Sequence, residues 1–91
     1  MITTQQLQLL KEGNKKAFEA LYRAYNARIY SFVLSMIGDA GVAKDITQDI
    51  FLQIWEKRLN IDLEGNFDGY LFKISQNMVY LSLIHISEPT R

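Results

Sequence analysis

Phe18, Leu21, Tyr22, Tyr25, Ile29, Phe32, Val33 and Met36 recur at steps of three and four. An α-helix returns to the same face roughly every 3.6 residues, so this spacing predicts one long amphipathic helix of about five turns. Its apolar stripe must be covered, and in a chain of 91 residues only other helices of similar length can cover it. Gly13-Asn14 and Gly38-Asp39-Ala40-Gly41 bound the stripe. Glycine suits a helix C-terminus, and Asn or Asp caps the next helix. Ahead of it, Thr3 and Gln6 have capping-box spacing before Leu7, Leu9 and Leu10, which predicts a short first helix. Beyond it, Val42, Ala43, Ile46, Ile50, Ile54 and Trp55 form a third stripe ending near Arg58. Residues 59–66 have no periodicity and read as a loop. Phe67, Tyr70, Leu71, Ile74 and Met78 then resume helical spacing, with Asn66 as their cap. The expected fold class is all-α, a compact bundle of three to four helices.

Composition narrows the class of function. The chain has no cysteine, which excludes a disulfide scaffold, a thiolate metal site and a cysteine nucleophile. No N-terminal signal pattern and no apolar run near the roughly 18 residues of a membrane span occur, so a soluble, cytoplasmic domain without membrane insertion is expected. His85 is the sole imidazole, and there is no Glu-x-x-His pair or glycine-rich phosphate loop. Neither catalysis nor a bound metal or cofactor is expected.

The last eleven residues, LSLIHISEPTR (81–91), break the pattern. Their apolar residues alternate by two, and the string contains the only His and the only Pro. All eleven letters match the conceptual translation of a transposon-type sequencing adapter. Residues 1–80 are therefore expected to be the natural domain and 81–91 a foreign tail.

Ten basic and ten acidic side chains cancel, which removes the simplest argument for nucleic-acid binding. The cancellation conceals segments of opposite sign. Residues 1–38 carry five Lys or Arg against two Glu, whereas residues 39–56 carry one Lys against four acidic groups. Within the acidic segment, Asp45, Asp49, Leu52 and Glu56 fall on one helical face with Gln48 alongside. That face is either a solvated surface with one incidental leucine or a docking surface for a basic partner helix. Later in the chain, Phe67, Tyr70, Phe72 and Tyr80 are mixed with Lys57, Arg58, Lys73, Gln76 and Asn77. Aromatic rings among cations suit single-stranded nucleic acid, though Phe67 and Tyr70 equally fit a core stripe that leaves Phe72, Lys73, Gln76 and Asn77 outside.

The order of these segments is more specific than any one of them. The run from Gly13 to Tyr25 (GNKKAFEALYRAY), the run from Val42 to Trp55 (VAKDITQDIFLQIW) and the run from Asn66 to Asn77 (NFDGYLFKISQN) together resemble region 2 of bacterial sigma factors of the extracytoplasmic-function type. The resemblance covers about residues 5–80, and its most diagnostic string is DITQDIFLQIW. It implies that the third helix docks on the clamp helices of the largest subunit of RNA polymerase through Asp45, Gln48, Asp49 and Leu52. It further implies that the loop from Leu59 to Phe67 melts promoter DNA and captures an unstacked base of the non-template strand in a pocket beside it. The helix that follows would read the −10 element, with Lys73 and Asn77 at matching positions and Tyr70 as a packed aromatic support. Asn60, Asn66 and Phe67 complete the implied DNA-binding set, and Lys57 and Arg58 are candidates for phosphate contacts. An anti-sigma factor is a further implied partner. The family's basic continuation of the fourth helix and its second, helix-turn-helix domain have no counterpart in this sequence. The alternative is a helical adaptor module without a DNA role.

Overall fold

The computed structural model describes residues 2–87 and places the side chains through Ile84. Four helices follow one another: α1 (Thr4–Lys11), α2 (Lys15–Ile37), α3 (Ala40–Glu56) and α4 (Phe67–Ser87), with a single 3-10 turn at Arg58–Asn60 between α3 and α4. Each expected cap is formed. Thr3 and Gln6 make a reciprocal capping box on α1. The Asn14 side chain accepts from the Ala17 amide at 2.9 Å, and Asp39 accepts from Val42 at 3.0 Å. Gly13 and Gly38 sit at φ 88° and 81°, in the left-handed region where an L-residue would be strained.

The α2 stripe runs through the centre of the bundle. Leu21, Tyr25, Ile29 and Val33 are buried against Ile46, Ile50 and Ile54 of α3 and against Phe67, Leu71 and Ile74 of α4, all in one core. Met36, at the end of the stripe, is exposed. Thr47 and Ser75 are the buried polar residues among those described, and each hydroxyl donates to a carbonyl one turn back, at Ala43 (2.7 Å) and Leu71 (2.9 Å). Satisfied in this way, they occupy core positions without an orphaned donor.

Two departures from the sequence reading have physical causes. The stretch 59–66 holds no α-helix, but its first two residues belong to the 3-10 turn, and Ile61 is only 2% exposed and belongs to the core. The Lys11 ammonium donates to the Ile61 carbonyl at 2.7 Å from the end of α1, fixing the loop from outside as well. The second departure is at the C-terminus. Spacing by two predicted a break after Tyr80, but α4 continues unbroken to Ser87, with Leu81, Leu83 and Ile84 exposed. Helix propagation needs only local backbone bonds, and the stretch from Leu81 to Ser87 contains neither Gly nor Pro. The end of the adapter-like string, residues 88–91, lies outside the described residues.

Burial distinguishes two neighbours in the same stretch. Ile61→Ala is expected to cost about 2–5 kcal/mol in urea unfolding, as a core truncation does, whereas Leu59→Ala is expected to stay within about 0.5 kcal/mol. Leu59 is 73% exposed. Similar losses for the two would contradict the anchoring of the loop through Ile61.

Candidate protein-docking and nucleic-acid interface

On α3, buried and exposed residues separate cleanly. Ile46, Ile50 and Ile54 point into the core, so Asp45, Gln48, Asp49 and Leu52 are all exposed on the other side. Among the described residues, no salt bridge engages Asp45, Asp49 or Glu56, so their charge is available to a partner. Leu52 is 52% exposed and stands between two shallow apolar hollows. One, of about 260 Å³, is walled by Phe18 and Trp55, whose rings lie 5.1 Å apart. The other, of about 350 Å³, is walled by Tyr22 and Phe51, 4.9 Å apart. Sequence reasoning found the carboxylates and the leucine but not these aromatic walls. By spacing Phe18 and Tyr22 are simply stripe residues, and only the crossing of α2 with α3 sets their edges beside Leu52.

A second constellation forms where the loop meets α4. Asn66 caps the helix, its side-chain oxygen accepting from the Gly69 amide at 3.1 Å and its carbonyl from Tyr70 at 3.0 Å. Asp62 closes the preceding turn by accepting from the Glu64 amide at 3.0 Å. Between these fixed points lies a pocket of about 190 Å³ with Ile61, Phe67 and Tyr70 as apolar walls and Asn60, Asp62 and Asn66 as polar rim. A flat ring with donors and acceptors on its edge matches that arrangement. Outside the pocket, Lys73, Gln76 and Asn77 are exposed along α4, as the alternative core assignment for Phe67 and Tyr70 required.

Two of the residues named for DNA contact are held by packing. Phe67 is 6% exposed, packed at 5.9 Å on Tyr25 and 6.1 Å on Tyr70. Its ring has no free face for stacking and serves as pocket wall. Arg58 is half-buried over Trp55, with its guanidinium carbon 4.3 Å from the ring centroid and Nη1 donating to the Trp55 carbonyl at 2.9 Å. Its Nε is buried without a hydrogen-bond partner among the described residues. Gly13 faces the same guanidinium, since a Cβ there would meet Nη2 at 3.6 Å. Arg58 therefore ties the end of α3 to the α1–α2 turn, while Lys57 remains exposed. Sequence spacing could not separate adjacent cations whose roles depend on Trp55 packing.

Behind the pocket, the buried Tyr25 hydroxyl of α2 donates to Asp68 Oδ1 in the first turn of α4. Burial foremost, and then the bond to Asp68, raise the Tyr25 pKa above its ordinary 10.0, with a backbone hydrogen bond at Ile2 opposing them.

Among the described residues this is an all-helical domain with an acidic, apolar-centred face on one helix and a fixed loop pocket beside an exposed polar helix face. The chain belongs to the sigma-70 region 2 family, whose pattern matches residues 21–83. It is 26% identical over 78 residues to the ECF RNA polymerase sigma factor SigW of Bacillus subtilis (strain 168), covering 86% of this chain and 42% of that protein. It is 36% identical over 56 residues to the ECF sigma factor SigK of Mycobacterium sp. (strain KMS), covering 62% of this chain and 29% of that one. The chain thus spans well under half the length of these relatives. A solved complex of an engineered region 2 of sigmaE with GTAAAA has the same fold, with a TM-score of 0.83 at 22% identity over 90% of this chain and 85% of that one. No helix among the described residues is long and apolar enough to cross a membrane.

The Tyr25–Asp68 bond has a pH signature. Between pH 10 and the higher native Tyr25 pKa, the folded chain holds a proton that the unfolded chain has released. The contribution is therefore complete below pH 10 and is lost as pH rises through the native value. Tyr25→Phe is expected to lower stability by about 1 kcal/mol at neutral pH and to flatten the alkaline decline. Urea unfolding from pH 8 to 11 measures both; parallel declines for the two proteins would contradict the assignment.

Proposed function

We propose that this domain does the work of a sigma factor's second region: it docks on core RNA polymerase and holds an unpaired promoter strand so that transcription can begin. The observation that carries this reading is the pairing of two separate surfaces, the acidic face around Leu52 on α3 and the fixed pocket between the loop and α4. Asp45, Gln48 and Asp49 would set the register of a basic clamp helix, with Leu52 and the flanking aromatics supplying the buried apolar contact. Holding a flipped base costs a few kcal/mol of lost stacking and pairing. A loop already fixed by Ile61, Lys11, Asp62 and Asn66 adds little ordering cost of its own. Tyr70, Asn60, Asn66 and Phe67 would enclose the base, Lys73 and Asn77 would follow the −10 strand along α4, and Lys57 would meet a phosphate. Arg58 would act indirectly, by bracing the end of α3.

The work is binding rather than catalysis, carried out in the cytoplasm where polymerase resides. An anti-sigma factor would act by covering one of the two surfaces. We take residues 81–91 to be foreign to the natural domain; the exposure of Leu81, Leu83 and Ile84 along the end of α4 supports this.

Retention on immobilised core polymerase tests the docking face. Asp49→Lys is expected to lower retention at least tenfold, and equal retention of variant and parent would overturn the assignment of that face. Fluorescence anisotropy with single-stranded GTAAAA tests the second surface. Lys73→Glu combined with Asn77→Ala is expected to weaken binding by roughly tenfold or more. Unchanged binding, or none by the parent chain, would favour a helical adaptor without a DNA role.

A further inference from the structure

Tyr25 packs on Phe67 and bonds Asp68, and further along Phe32 packs on Phe72, so α2 and α4 run in the same direction. Past the Phe32–Phe72 contact, α2 has five residues left (33–37) and α4 has fifteen (73–87). At about 1.5 Å per residue, the end of α4 projects roughly 15 Å beyond the end of α2. Among the residues whose side chains are placed, Val79 is the last of α4 to be buried in the core. Tyr80, Leu81, Leu83 and Ile84 beyond it are exposed. Helical spacing puts Tyr80, Leu83 and Ile84 on one face, with Leu81 at its edge.

This projecting end carries no charge to keep it in water. From Ile74 to Ser87, about four helical turns, there is no Asp, Glu, Lys or Arg. The four apolar residues are between 38% and 64% exposed. That amounts to roughly 450 Å² of surface per chain, the size of patch that marks a contact site on a small protein. Its chemistry also narrows the occupant. The acidic face of α3 selects a basic partner, whereas an uncharged apolar helix end selects another of its own kind. The whole chain has a net charge of zero, so two copies approach without mutual repulsion.

We propose that two copies of this chain pair through the projecting ends of α4, side by side and antiparallel. Tyr80 of each copy lies against Ile84 of the other across a dyad near residue 82, an isologous contact that closes at two chains. The shape of the molecule sets the direction. Each bundle is 21 by 20 Å across, whereas paired helices lie only about 8–10 Å apart, so parallel pairing would drive the two bundles into each other. Antiparallel pairing sends them to opposite ends. Two copies bury roughly 900 Å² in total, below the roughly 1,200 Å² of stable complexes, so the dimer is weak and forms only at high concentration. Most of the contact face belongs to the adapter-like segment 81–91, so pairing is a property of this chain as it stands. It depends on neither the docking reading of α3 nor the strand-binding reading of α4.

Sedimentation equilibrium of the full chain from about 10 to 500 µM tests the pairing. The weight-average mass is expected to rise with concentration toward twice that of the monomer and to stop there. Leu81→Lys combined with Ile84→Lys is expected to hold the chain at monomer mass throughout. Tyr80→Glu, on the same exposed face, is expected to weaken association roughly tenfold or more, and Leu52→Lys on α3 to leave it unchanged. A parent chain that stays monomeric at every concentration would overturn the proposal. So would association abolished by Leu52→Lys but not by the α4 variants, which would place the contact on α3. Growth beyond two chains would contradict the closed antiparallel pair.

Discussion

The apolar stripe of α2 has to be covered along its length, and almost everything else in this domain follows from how that is done. Leu21, Tyr25, Ile29 and Val33 are buried together with residues from α3 and α4 in a single core. Packing α3 by Ile46, Ile50 and Ile54 turns its acidic residues outward. Packing α4 by Phe67, Leu71 and Ile74 turns Lys73, Gln76 and Asn77 outward. The two faces read as functional are thus the complements of two core stripes. Their mutual placement is set by α2 rather than by any contact between them.

The loop between α3 and α4 is the exception to helical patterning, and it shows what a bundle must add to hold a site. Only one side chain of its central stretch, Ile61, is fully committed to the core. The rest of its order comes from polar contacts: the Lys11 ammonium on the Ile61 carbonyl, the Asp62 turn and the Asn66 cap. Lys11 and the Gly13 turn beneath Arg58 both precede the stretch that matches the family, residues 21–83. The short first helix is therefore part of the machinery that shapes the pocket, although it contributes no side chain to the pocket itself.

Much of this was legible in the sequence because it depends on local rules. Thr3, Asn14, Asp39 and Asn66 act as caps wherever helices begin, and the steps of three and four locate α2, α3 and most of α4. The exposed residues of α3 followed from the same periodicity. What was missed depends on tertiary placement. Ile61 sits in a stretch with no period, so nothing local marked it as core. Phe51, Thr47, Ser75 and Val79 are buried because the faces of α3 and α4 are wider than the stripes read from spacing. Arg58 and Lys57 are adjacent cations, separated in role only by the Trp55 ring. Phe67 resembles a stacking residue by composition but is occupied by Tyr25 and Tyr70. The apolar alternation after Tyr80 departs from helical spacing, whereas an exposed helical extension without Gly or Pro simply continues.

The central claim is that two surfaces of one small bundle have separate tasks and that the unpaired strand uses only one of them. Titrating the 15N-labelled chain with single-stranded GTAAAA and following amide chemical shifts residue by residue tests it most directly. The expected result is a contiguous set of shifts across Asn60, Asn66, Tyr70, Lys73 and Asn77, with Asp45, Gln48, Asp49 and Leu52 unmoved. Shifts centred on the α3 face, or none in the loop and α4, would contradict the account.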